Sequence, residues 1–343
     1  MSLEVGSVVG GYEIISAIGQ GGVGKVFKVR HNITGRVEAM KLLLSDYAEH
    51  DELVKRFLRE IKIQATLDHP NIASVLNALE IGGSLVMIME FVEGASLDTK
   101  IVKGPLPLAT TLDYSMQALS ALDYAHAHGV THRDIKPENM LVTRSGALKL
   151  ADFGCARTAA DPRLTGVGAV LGSLYYMSPE QAQGKENIDE RTDVYSMGAV
   201  VYELTTGRTP FEGDQPFQLM MAHVSEEPRP PIELDPSLPQ GLSDAILRAL
   251  SKAPAHRFQS AQQFLRAIEN VSDELSLPRP KTVDIAPEPQ PLAVEFDDEP
   301  AQEDEPTAKR KPQTSNPSVS VSLFVFFFFF FFFFFFLIIY YWT

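Results

Sequence analysis

Between positions 131 and 141 the chain reads Thr131-His132-Arg133-Asp134-Ile135-Lys136-Pro137-Glu138-Asn139-Met140-Leu141. Asp134, Lys136 and Asn139 place a carboxylate, an ammonium and an amide within one short stretch. A carboxylate can accept a proton from a hydroxyl, an ammonium can hold phosphate oxygens, and an amide oxygen suits a hard cation. The stretch lies between an apolar run with helical spacing, Leu108 to His128, and a strand-like run that begins near Met140. A loop so placed can bring the three groups to one point in space.

A second cluster lies near the N-terminus. Gly19-Gln20-Gly21-Gly22-Val23-Gly24-Lys25-Val26 separates two short apolar runs, and Lys41 sits in a third, Val37 to Leu43. Glycines let a backbone close over phosphates without Cβ clashes. The stretch fits G-x-x-x-x-G-K, but that motif requires a Ser or Thr next, to place a hydroxyl on Mg²⁺, and it opens a helix. Here Val26 follows, and the pattern predicts strand, turn, strand. The same residues also fit G-x-G-x-x-G-x-V at Gly19, Gly21, Gly24 and Val26.

The elements that must hold these groups follow from periodicity. Three strands are expected over residues 12–43, then a helix from Asp51 to Leu67 with Leu53, Phe57, Ile61 and Ala65 on one stripe and Glu60 beside it. Two more strands are expected, Ile72 to Leu79 and Ser84 to Phe91. The helix from Leu108 turns Leu112, Met116, Leu119 and Leu122 inward and ends at Gly129. At 343 residues and 45% hydrophobic content the chain can build a large core. A net charge of −14 argues against general nucleic-acid binding. Cys155 is the single cysteine, so no internal disulfide is possible. The N-terminus shows no basic segment followed by an apolar run, so no secretory signal peptide is expected.

Taken together, these motifs resemble protein kinases, and their wording is closest to bacterial serine/threonine kinases. The opening loop resembles H-R-D-x-K-P-x-N, and Lys149-Leu150-Ala151-Asp152-Phe153-Gly154 resembles the D-F-G segment. The resemblance covers roughly residues 12–268. It implies an α+β, two-lobed fold: a five-stranded antiparallel sheet with one helix (about 12–89), then a mainly helical lobe (about 93–268). It implies Mg²⁺-dependent transfer of the ATP γ-phosphate to Ser or Thr hydroxyls of proteins.

The roles it implies are these. Asp134 orients or deprotonates the acceptor hydroxyl, and Lys136 neutralises the γ-phosphate. Lys41 holds the α- and β-phosphates and is paired by Glu60. Asn139 and Asp152 bind Mg²⁺. Nucleotide contacts fall to Ile18, Gly19, Gly21, Gly24, Val26, Ala39, Met89, Glu90, Val92 and Leu141, with Met89 at the back of the adenine pocket. His132, Arg133, Phe153, Gly154, Ser173, Glu180, Asp193 and Arg257 are structural: Asp193 caps the catalytic loop and Arg257 pairs with Glu180. Arg133 implies control by a phosphate on the activation segment, with Thr165 as its site, placed there by a second copy of the chain in a transient dimer. Gln64 departs from the family, which usually has an apolar residue there, and so loose packing is expected around it. Ser178-Pro179-Glu180 is a variant of A-P-E.

Three rival readings fit the residues less well. A pseudokinase scaffold predicts loss of Lys41, Asp134, Asn139 or Asp152, and all four are present. A P-loop enzyme fails at Val26. A small-molecule kinase does not need the long segment that ends at Glu180.

The last part of the chain changes character. Residues 277–320 are rich in Pro, acidic residues and Ser, without apolar period, and predict a disordered linker. Residues 323–342 are an apolar run dominated by Phe326 to Phe336, long enough for a membrane helix. Lys309-Arg310-Lys311 before it and Tyr340, Tyr341 and Trp342 at its end fit a C-terminal anchor on a cytoplasmic kinase. The run has a second reading, as a reading error in a thymine-rich stretch, since membrane helices draw on Leu, Ile, Val and Ala.

Overall fold

The computed structural model describes residues 4–20, 24–43, 51–153, 169–213 and 215–277. Gly21, Gly154, Thr165 and Cys155 lie outside the described residues, as do the expected linker beyond Leu277 and the run 323–342. Among the described residues no helix is long and apolar enough to cross a membrane.

Strands β1 (Val8–Val9), β2 (Tyr12–Gln20), β3 (Gly24–His31), β4 (Val37–Leu43), β5 (Val75–Ile81) and β6 (Ser84–Glu90) form an antiparallel sheet in the order β1-β2-β3-β4-β6-β5. The sheet therefore has six strands rather than the expected five. The addition is β1, which folds back on β2 through Gly10 and Gly11, at φ +58° and +86°. Two successive left-handed residues make the tight turn that matches strand twist, and glycine reaches it without strain.

β4 lies inside the sheet and is buried on both faces. Met40 and Leu42 pack with Tyr12, Ile14, Phe27, Val29, Val86 and Ile88 on one side. Ala39 and Leu43 pack on the other with Phe57 and Ile61 of helix α1 (Asp51–Gln64). Side chains alternate along a strand, so Lys41 shares the face of Ala39 and Leu43 and must meet α1. The buried stripe of that helix is Phe57, Glu60, Ile61 and Gln64. It differs from the sequence expectation: Ala65 lies beyond the helix end and is exposed, and two polar residues sit within the stripe. Apolar periodicity cannot mark a buried position held by an ionic or amide side chain.

The second sheet, β7 (Gly94–Ser96), β8 (Met140–Thr143) and β9 (Leu148–Leu150), carries the loop residues that follow and precede it. Gly94 is dictated by closeness: a Cβ there would lie 1.8 Å from the Val142 carbonyl oxygen. Helix α2 (Leu97–Ile101) follows, then α3 (Leu108–Ala127), which ends at Gly129 with φ +72° as expected. Helices α4 (Ala169–Leu174) and α5 (Pro179–Ala182) lie in the stretch the sequence left irregular. Helix α6 (Arg191–Thr206) is enclosed on nearly every side, and α7 (Pro216–Ser225), α8 (Pro231–Leu234), α9 (Gln240–Ala249) and α10 (Ala261–Glu274) complete the helical lobe. Its core joins α3, α6, α9 and α10.

Three histidines are folded into this frame as neutral rings. Burial lowers the pKa of His69 to about 4 and of His223 to about 3, with Lys149 and Lys252 adding to the shift, and burial lowers His132 as well. His223 is fully buried, shares a hydrogen bond with the Tyr195 hydroxyl at 2.8 Å and packs against Phe211. In the unfolded chain each ring takes up a proton near pH 6.5. Stability is thus fully present above that pH and falls as the medium is acidified towards the folded values. In His223→Gln the slope of unfolding free energy between pH 6 and 4.5 should flatten by up to about 1.4 kcal/mol per pH unit, the linkage of one proton. Urea unfolding over that range checks it.

Candidate active site

The catalytic candidates come together from four pieces of chain. On β4 the Lys41 ammonium donates to Glu60 Oε1 at 2.7 Å and to Asp152 Oδ1 at 2.9 Å. Lys41 and Glu60 are both buried, whereas 38% of the Asp152 side chain remains exposed. Burial alone would raise the Asp152 pKa, but Lys41 outweighs it and holds the carboxyl below its ordinary value. Asp152 is ionised at neutral pH and faces two cations, Lys41 and, more distantly, Lys136.

The loop after Gly129 supplies the second group. Lys136 Nζ lies 3.0 Å from Asp134 Oδ2 and donates to Ser173 Oγ at 2.8 Å. Asn139 Nδ2 donates to the Asp134 carbonyl oxygen at 2.8 Å and to its Oδ2 at 3.1 Å. That bond turns the other end of the amide, Oδ1, away from Asp134. A carboxylate, an ammonium and an amide oxygen thus stand together as the residue types suggested.

This loop has an unusual backbone. Arg133 in this loop has φ +66°, and Asp152, in the segment after β9, has φ +61°, left-handed values that a side chain disfavours by about 1–3 kcal/mol each. Asp193, at the start of α6 and fully buried, holds the first of them. Its Oδ2 accepts from His132 N at 2.8 Å and its Oδ1 from Arg133 N at 2.7 Å. His126 on α3 approaches the same carboxylate at 2.8 Å. Burial works to raise the Asp193 pKa, but the hydrogen bond and charge of His126, then His132 and the Arg133 amide, bring it below normal. Hydrogen bonds to a charged acceptor contribute about 1.5–3 kcal/mol each, enough to offset the strain. The sequence did not mark His126. A histidine in the last turn of an apolar helix, just before a polar loop, was the available signal.

His132 donates through Nε2 to the Ala151 carbonyl at 3.0 Å, and its Nδ1 accepts from Asp134 N at 3.3 Å. Its ring packs on Phe153, centroids 4.4 Å apart, so that one neutral imidazole joins the two segments that carry Asp134 and Asp152.

The glycine stretch joins two paired antiparallel strands. Gly19 pairs with Val26 and Gln20 with Lys25, so strand follows strand, and the P-loop reading is excluded on structure as on sequence. Gly24 is a strand residue whose added Cβ would lie 2.4 Å from the Leu42 carbonyl oxygen, whereas Gly19 faces open space. Ile18 is 47% exposed beside it, and Ala39 and Met89 lie on the α1 face of the sheet with Val26 against them. Glu90 closes β6: its N–H donates to the Ser74 carbonyl at 2.9 Å and its carboxylate meets Lys149 at 3.0 Å. Val92 follows outside the strand, and Leu141 sits opposite Lys149 and Ser96 on β8.

Below the loop, Arg257 is fully buried and forms a two-pronged pair with Glu180, both N–O distances 2.7 Å. Its remaining donors reach the carbonyls of Ser251, Arg191 and Lys252. Ser178 caps α5 in a reciprocal box with Gln181, and the Gln181 amide donates to the Arg133 carbonyl at 2.8 Å. Gln181 was not singled out from sequence. The pattern Ser-x-x-Gln at the start of a helix was the clue.

The comparisons with known proteins agree on one family. The protein kinase domain profile matches residues 12–267. The serine/threonine-protein kinase PrkC of Bacillus subtilis is 37% identical over 267 residues, 78% of this chain and 41% of that protein. The serine/threonine-protein kinase PknB of Mycobacterium leprae is 38% identical over 259 residues, 74% of this chain and 42% of that one. The chain thus spans about two-fifths of the length of the curated relatives it matches. A crystal structure of the Mycobacterium tuberculosis PknI kinase domain superposes with TM-score 0.63 at 29% identity, covering 79% of this chain and 100% of that one.

Glu180→Ala would strand the Arg257 guanidinium in the core. It should lower unfolding stability by about 3–5 kcal/mol, whereas replacing both partners with well-packed apolar residues should cost much less. Urea unfolding of Glu180→Ala and of Glu180→Met with Arg257→Leu distinguishes the two.

Proposed function

The chain belongs to the protein kinase domain family, and on that premise we propose that it transfers the γ-phosphate of ATP to serine and threonine hydroxyls of proteins. The observation that carries this reading is Lys136, whose ammonium touches both Asp134 and Ser173. It places a base, a phosphate-neutralising cation and a hydroxyl-bearing wall at one point.

The residues present fit a nucleotide with Mg²⁺. Asn139 Oδ1 and the ionised Asp152 are oxygen donors, and two protein oxygens suit Mg²⁺, which keeps phosphate and water in its other positions. When bound, the ion would neutralise negative charge on the phosphates. Lys41, aimed by Glu60, binds the α- and β-phosphates. Asp134 accepts the hydrogen bond of the acceptor hydroxyl and fixes its line of attack; it takes the hydroxyl proton as the new oxygen–phosphorus bond forms and the bond from the γ-phosphorus to the β,γ-bridging oxygen breaks, releasing ADP. Lys136 neutralises the charge on the transferring group. Asn139, bonded to Asp134, keeps the base from rotating away. A scaffold has no need of these contacts, so the pseudokinase reading gains nothing from the geometry.

The finer points rest on the resemblance. Arg133 keeps its Nε buried without a partner among the described residues, which supports its role as receiver of a phosphate on Thr165. A second copy of the chain would place that phosphate. The run 323–342 would anchor the enzyme to the membrane with its kinase domain in the cytoplasm.

The test is transfer of label from [γ-³²P]ATP to the purified chain and to a generic protein acceptor. Label should appear on serine and threonine, and Asp134→Asn should reduce it by about 10²–10⁴-fold. Thr165→Ala should lower the rate of the unstimulated enzyme. A folded wild type that binds MgATP but transfers nothing, before or after treatment with an active kinase, would overturn the reading.

A further inference from the structure

Gln64 occupies the last position of α1, one turn after Glu60, and is fully buried. Its Nε2 donates to the Ala73 carbonyl at 2.9 Å, while its Oε1 has no partner among the described residues. A buried amide with half its capacity unmet is a poor space-filler, because methionine or leucine would occupy the volume without an unpaired oxygen. What justifies an amide here is the bond that it makes.

That bond closes a ring. Ala73 N donates to the Leu150 carbonyl at 2.8 Å, and Leu150 N donates to the Asn71 carbonyl at 2.8 Å. Asp152 stands two residues beyond Leu150 and receives Lys41 at 2.9 Å. Lys41 returns to Glu60 at 2.7 Å, and Glu60 to Gln64 through one turn of helix. Gln64, Ala73, Leu150, Lys41 and Glu60 are all buried, so water does not compete for these bonds. The segment Asn71 to Ala73 is itself held to the helical lobe, since Asn71 Nδ2 donates to Gln117 Oε1 at 3.0 Å and to the Leu148 carbonyl at 2.7 Å.

We propose that Gln64 is a positioning residue for phosphoryl transfer: its amide ties α1 to Ala73, which is bonded to Leu150 at the end of β9, two residues before Asp152, so that Glu60 and Asp152 hold Lys41 as one rigid unit. The helix cannot swing away from β4 without breaking the Gln64–Ala73 bond as well as the Lys41–Glu60 pair. Gln64 touches neither nucleotide nor acceptor and acts through Glu60. The proposal rests on the kinase reading above.

The test is a double-mutant cycle on the full chain, with Gln64→Met and Glu60→Gln singly and together. Kinetics and thermal unfolding are both measured. Gln64→Met should lower kcat about tenfold, the size of effect such a coupling carries. KM for the protein acceptor should stay unchanged and Tm should stay within about 3 °C. In the Glu60→Gln background the same change should have less than about twofold effect, because the route runs through Glu60. Gln64→Leu, measured alongside, guards against a folding fault peculiar to methionine. A kcat unchanged in either folded variant, a loss that tracks Tm, or the full loss persisting in Glu60→Gln would each overturn the proposal. An inactive wild type would instead strike at the kinase reading itself.

Discussion

The buried carboxylate of Asp193 is the constraint on which the loop carrying Asp134 depends. Two backbone amides, those of His132 and Arg133, point at its two oxygens. They can do so only because Arg133 adopts a left-handed backbone. The strain and the charge-assisted bonds are of similar size, so neither would persist without the other. Once Arg133 is fixed, the orientation of the next residue, Asp134, follows. His126 supplies the third contact and helps to hold the pKa of the buried carboxylate below its ordinary value. The loop is therefore positioned from beneath by helices α3 and α6, whose inner residues belong to the core of the lobe.

The other half of the site is positioned by a different rule. β4 is buried on both faces, so a lysine on it must either be lost to solvent at great cost or be paired. Glu60 and Asp152 supply that pairing, one from each side of the cleft. The arrangement leaves Lys41 neutralised inside the protein and yet pointing towards the exposed edge of Asp152. The strain at Asp152, with φ +61°, matches that at Arg133: both non-glycine residues sit where a segment must present a carboxylate in a direction that regular backbone would not allow.

Much of this was legible from residue types in order. Asp134, Lys136, Asn139 and Asp152 carry their chemistry openly, and glycines at 94 and 129 mark turns or close approaches that a Cβ would forbid. The strand Val37 to Leu43 was read to the residue, because a run of apolar residues with turns at both ends has few alternatives. What could not be read were contacts between segments far apart in sequence. Gln181 reaching the Arg133 carbonyl, and His126 reaching Asp193, each depend on where two helices lie against one loop. The extra strand at Val8 was missed because two residues carry no periodicity, although the Gly10-Gly11 pair was a fair signal.

The helix α1 shows most clearly why hydrophobic pattern and function diverge. Apolar spacing placed Ala65 on the inner stripe and Glu60 beside it; in the structure Glu60 and Gln64 fill the inner positions and Ala65 is exposed. A rule built on burying carbon will always misplace such residues, since each is buried for a bond rather than for its surface. Glu60 is held by Lys41, and Gln64 by a single carbonyl. A helix that buries two polar side chains on its inner face gives up packing energy there. That sacrifice makes its position depend on a few directional contacts, and a helix held in this way answers to small changes at the groups it touches.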